Sequence, residues 1–85
     1  MEVRLTDKLG NNLALETIYN YNRFNVYNLL DAIEDNLPKW DRVKFYLEKI
    51  VYKDYKISLN RLKDNYIRFV LQSQSQGPYF LVIEY

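Results

Sequence analysis

The sequence predicts an α+β fold: an antiparallel sheet of four or five strands packed on one or two helices, in the order β-β-α-(α)-β-β-β. Three observations predict it. Apolar and polar residues alternate with period 2 near both ends of the chain, over 2–21 and again from Tyr55 onward. Between these stretches, from Asn25, the apolar period lengthens to 3.6. Turn-forming residues then cut the alternating stretches into pieces of strand length, at Leu9-Gly10-Asn11-Asn12, Leu62-Lys63-Asp64-Asn65 and Gly77-Pro78.

The first strand spans 2–7, with Val3 and Leu5 on one side. The second spans 13–21, with Ala14, Glu16 and Ile18 on one side and Leu13, Leu15, Thr17 and Tyr19 on the other. With the turn at Gly10 they form an N-terminal hairpin. A polar break at 20–25 ends on Asn25, a good N-cap. A helix over 25–36 follows, its apolar stripe made by Val26, Leu29, Leu30, Ile33 and Leu37. Leu30 and Ile33 lie at the centre of that stripe and are expected in the core. Pro38 interrupts the pattern.

Residues 39–52 admit two readings. A strand puts Val43, Phe45, Leu47 and Val51 on one face. A helix gathers Trp40, Val43, Tyr46, Leu47, Ile50 and Val51 within an arc of roughly 140°. The helix accounts for more apolar residues and sets Lys44 and Glu48 at i, i+4. It also leaves Phe45 isolated among Asp41, Arg42, Lys44, Glu48 and Lys49. After it, Lys56-Ile57-Ser58-Leu59 alternates and 62–65 reads as a turn. Tyr66–Leu71 is nearly continuously apolar, the pattern of a central strand buried on both faces. A polar loop over 72–78 leads to a last strand at 79–85. No repeat or linker divides the chain, so 1–85 reads as a single domain.

Composition removes most catalytic options. The chain has no histidine, no cysteine and two glycines, against nine tyrosines in 85 residues. Missing are the side chain that titrates unaided near neutral pH, the thiolate nucleophile and any glycine-rich phosphate cradle. Asp31, Glu34 and Asp35 are close along one helix, but without a ligand loop they read as a solvated acidic face. The serines have no histidine partner. The expectation is a protein that is not an enzyme and needs neither metal nor cofactor.

No apolar run reaches the roughly 18 residues of a membrane span, and 1–7 lacks the apolar core of a signal peptide. The chain therefore reads as cytoplasmic. Asn, Tyr, Lys and Ile are plentiful and Ala, Gly and Pro scarce, a bias toward AT-rich codons that suits a low-GC bacterium or a phage or plasmid living in one.

What remains is binding. Net charge is +1 but uneven: residues 1–38 sum to −3, 39–63 to +5 and 64–85 to −1. Tyrosine joins a rigid apolar body to a polar tip and favours interfaces. The candidate partner-binding residues are Arg42, Lys44, Phe45, Lys49, Lys53 and Tyr55, where basic and aromatic side chains mix. In general character the chain is similar to the small inhibitors of anti-CRISPR and anti-restriction type that phages and plasmids direct against host nuclease complexes. That likeness implies a host protein or protein–nucleic acid complex as partner and carries no residue across. The alternative is a small nucleic-acid-binding regulator using the basic, tyrosine-rich segment 39–63.

Overall fold

The computed structural model describes residues 1–19, 29–49, 55–72 and 76–84. Along the chain come β1 (Glu2–Thr6), β2 (Asn12–Thr17), α1 (Leu29–Asn36), a 3₁₀ turn (Leu37–Lys39), α2 (Asp41–Lys49), β3 (Lys56–Lys63), β4 (Tyr66–Gln72) and β5 (Tyr79–Glu84). All five strands join one antiparallel sheet in the order β2-β1-β5-β4-β3. The α+β class and element order are those the sequence predicts, with five strands and two helices. The predicted N-cap Asn25 and the first turn of the predicted helix 25–36 lie outside the described residues, as does the side chain of Leu30.

The first and last strands are neighbours inside the sheet, whose edges are β2 and β3. β1 pairs with β5 from Glu2↔Glu84 to Thr6↔Phe80, which fuses the N-terminal hairpin to the meander β3-β4-β5. The hairpin turn is held by Asp7. Its carboxylate accepts hydrogen bonds from the backbone N–H of Leu9 and Asn11, each at 2.9 Å, and from the Asn11 side-chain amide at 3.0 Å. Gly10 takes a φ of +86° there, a conformation that L side chains rarely adopt.

Register separates the two faces of the sheet. On one face lie the rows Glu16–Val3–Ile83–Ile67–Leu62 and Ala14–Leu5–Leu81–Phe69–Leu59. Their central members are fully buried, under Trp40, Val43 and Leu47 of the α2 segment and Ile33 of α1. Ile33 is thus the core residue its stripe predicts. On the other face lie Leu15–Arg4–Val82–Arg68–Arg61, flanked by Thr17–Glu2–Glu84–Tyr66–Lys63 and Asn12–Thr6–Phe80–Val70–Ser58. Both helices contribute to the first face only; this second face is the open one among the described elements.

Two sequence expectations need correction. β4 is not buried on both faces: Ile67, Phe69 and Leu71 are buried, while Tyr66, Arg68 and Val70 are half-buried. The continuous buried run belongs to β5, in Leu81, Val82 and Ile83. Val82 faces the open side but lies between Arg4 and Arg68, whose long stems can cover an apolar neighbour. The turn expected at 62–65 is also shorter. Leu62 and Lys63 still pair with Ile67 and Tyr66, and the reversal is confined to Asp64-Asn65. A register shift between Leu59 and Arg61 absorbs one residue, Asn60. That bulge returns Leu62 to the side of Ile57 and Leu59, although the spacing breaks period 2.

Candidate functional site

α2 is the element that sets the candidate contact face. Trp40 closes the 3₁₀ turn, its N–H donating to the Leu37 carbonyl at 3.0 Å, and its own carbonyl accepts from Lys44 N–H at 2.8 Å to open the helix. An indole has no oxygen to cap a helix start. The acceptor comes from another element instead: Glu16 Oε1 on β2 accepts from the Arg42 backbone N–H at 2.5 Å. One of the free N–H groups of the first turn is thereby satisfied by a negative charge placed at the positive end of the helix. α2 consequently lies over β2 and β1.

The helix reading holds over Asp41–Lys49; Ile50, Val51 and Tyr52 of the expected segment lie outside the described residues. Trp40, Val43 and Leu47 are buried and Tyr46 packs against the core from its edge. Phe45 is turned to solvent and 52% exposed. Around it on the outer face Asp41, Arg42 and Glu48 are exposed and Lys44 is half-buried. The Phe45 ring meets the Tyr46 ring edge-on, with centroids 5.9 Å apart and planes at 81°.

The predicted site residues do not form one patch. Arg42, Lys44 and Phe45 share the outer surface of α2. Lys49 ends α2, with its side chain outside the described residues, and Lys53 lies outside them altogether. Tyr55 leads into β3 at the far edge of the sheet, half-buried against the core. Burial, and then the negative charge of Glu34, push its hydroxyl pKa up. The basic segment 39–63 is likewise split. Its α2 charges sit on the helix layer, whereas Lys56, Arg61 and Lys63 fall by register on the opposite, open face of the sheet.

Two features were missed from sequence. Glu16 shared a side with Ala14, the core side of β2. A carboxylate there needs a partner, but alternation alone does not say which side of β2 faces the core. The second is Arg68, whose guanidinium carbon sits 5.0 Å from the centroid of the Phe80 ring and whose Nε donates to Asn60 Oδ1 at 2.7 Å. No spacing rule announces that contact, because it joins β3, β4 and β5 around a bulge.

The arrangement offers contact surfaces. Among the described residues no three acidic side chains gather as metal ligands. A depression of about 320 Å³ between the β1–β2 turn and the approach to β5 is lined by Asp7, Lys8, Leu9, Gln76, Gly77, Pro78 and Tyr79. Its carboxylate, Asp7, is already engaged by the turn. No helix among the described residues is long and apolar enough to cross a membrane. No family model matches the chain, and no curated protein or solved structure matches it.

Proposed function

We propose that the chain is a small non-catalytic binding protein, an inhibitor or adaptor, that docks on a partner protein through the outer face of α2. The observation that carries this reading is Phe45: a large aromatic, half exposed and ringed by mixed charge, on a helix whose opposite side is anchored in the core. An aromatic anchor inside a charged rim is the usual anatomy of a protein interface. Small size and a composition biased toward residues of AT-rich codons, in the character of phage and plasmid antagonists, support a host defence nuclease complex as the partner class.

The test adds the purified chain to DNA cleavage by purified CRISPR and restriction nucleases. The expected result is inhibition by the wild type. Phe45→Ala should keep its melting transition and weaken binding by more than about 1 kcal/mol. A well-folded Phe45→Ala protein that inhibits like the wild type removes this face from the reading. Unimpeded cleavage by both kinds of nuclease removes the partner class.

A further inference from the structure

We propose that the open face of the sheet, on its β4–β3 side, is a platform for a single-stranded polynucleotide. Bases would stack on Tyr66 and on the Arg68–Phe80 pair, and phosphates would lie against Arg61, Lys63 and Lys56.

The charge on this face is lopsided. Register places Arg4, Lys56, Arg61, Lys63 and Arg68 on it, with Glu2 and Glu84 as the carboxylates within the strands and Asp64 at the β3–β4 turn. Arg4 is ion-paired to Glu84, so the β1–β5 half is locally neutralised. The β4–β3 half keeps four cations, of which Lys56, Arg61 and Lys63 are exposed. A surface of this kind complements a polyanion.

The aromatic groups say which polyanion. Tyr66 pairs with Glu84, four residues along β5 from Phe80, so the two backbone positions are about 14 Å apart along the strands. Between them the Arg68 guanidinium is fixed twice, over the Phe80 ring and by Asn60. A held guanidinium plane and half-buried aromatic rings on central strands can take unstacked bases. A duplex keeps its base faces covered and offers only its charge to such a surface. A second copy of the chain is disfavoured, because two-fold pairing of β3 edges would bring Lys56, Arg61 and Lys63 of both copies together.

This platform lies on the opposite side of the sheet from α2, so it stands or falls separately from the docking reading. The test is fluorescence anisotropy with labelled oligo-dT and oligo-U of about 12 nucleotides, a matched duplex, and polyglutamate as competitor. Single strands should bind, with affinity falling steeply between about 50 and about 200 mM salt. Arg61→Gln with Lys63→Gln should flatten the plot of log K against log salt by about 1.4, two phosphate contacts at about 0.7 each. Tyr66→Leu should weaken binding roughly fivefold or more with the slope unchanged. Arg68→Lys, which keeps the charge and removes the plane, should act in the same sense. Phe45→Ala should bind like the wild type. The proposal is overturned if folded protein fails to bind single strands at low salt, or if the duplex binds as tightly. It is equally overturned if polyglutamate competes as well as the oligonucleotide, or if the double Gln variant keeps the wild-type slope.

Discussion

On β4, Ile67, Phe69 and Leu71 are buried in the core, while Tyr66, Arg68 and Val70, one residue out of phase, stay half-buried on the open side. The same strand thus builds two surfaces of opposite chemistry. Strand propensity does not distinguish them, since both sets are rich in residues that favour sheets. What separates them is the cover supplied from the middle of the chain. Trp40, Val43, Leu47 and Ile33 are laid on one face only. The open face is completed by arginine stems, an ion pair and a cation–π contact, and so keeps polar groups available for contact.

The strongest test of this contrast uses adjacent residues. Phe69→Ala should cost about 3–5 kcal/mol, by lost transfer energy and the cavity left behind. That is a large share of the roughly 4–13 kcal/mol expected of a chain this long. Arg68→Gln, the preceding residue on the open face, should cost less than about 1 kcal/mol. Urea midpoints of the two variants decide the matter. Comparable losses would mean that the open face is packed as a core, and the distinction would collapse.

Much of this layout could be read in the chain. Period 2 in the hairpin, the stripe through Ile33 and the wider arc through Trp40, Val43 and Leu47 are local signals that burial rewards directly, and they gave the class and the element order. Phe45 was legible for the same reason, as the residue the helical arc left out. What could not be read depends on residues distant in sequence. The pairing of β1 with β5 decides which strands are central: the apolar run of β4 predicts burial on both faces, yet β5 is the strand with the continuous buried run. The bulge at Asn60 hid the end of β3 because one inserted residue makes Leu62 seem out of phase. The open face was not legible at all: Arg4, Arg61, Arg68 and Phe80 come from four strands and meet only through register.

A smaller effect sharpens the contrast within β2. Glu16 is on the covered side and caps α2, whereas its neighbour Thr17 is exposed on the open side. Glu16→Ala should remove the cap across the sheet and cost about 1 kcal/mol, in the range of helix N-caps generally. Glu16→Gln keeps an acceptor and should lose only a few tenths, the share due to the charge at the helix start. Thr17→Ala should be close to neutral by comparison. Thermal melts of the three variants test the order. A Glu16→Ala protein as stable as Thr17→Ala would show that the covered face gains its helix without help from β2.

The smallest expected effect lies at the end of the sheet, in a turn that belongs to neither face. Hydrogen bonds from the Asn11 side chain and backbone, and from the backbone of Leu9 and Gly10, hold the Asp7 carboxyl below its ordinary range. The carboxylate form is therefore bound more strongly in the folded chain than in the unfolded one. Its contribution to stability is complete above the ordinary aspartate pKa of about 3.9 and is lost as pH falls through the lower folded value. Asp7→Asn keeps a carbonyl acceptor but has no charge to lose. The gap between wild type and variant should accordingly be widest near neutral pH and should close in acid. Because the buried residues of the core cluster include no carboxylate among the described residues, Phe69→Ala should show no comparable closing of its own gap over the same range. Urea midpoints measured near pH 7 and near pH 3 separate the two behaviours. A gap for Asp7→Asn that stays constant with pH would show that the turn is held by its shape and not by the charge.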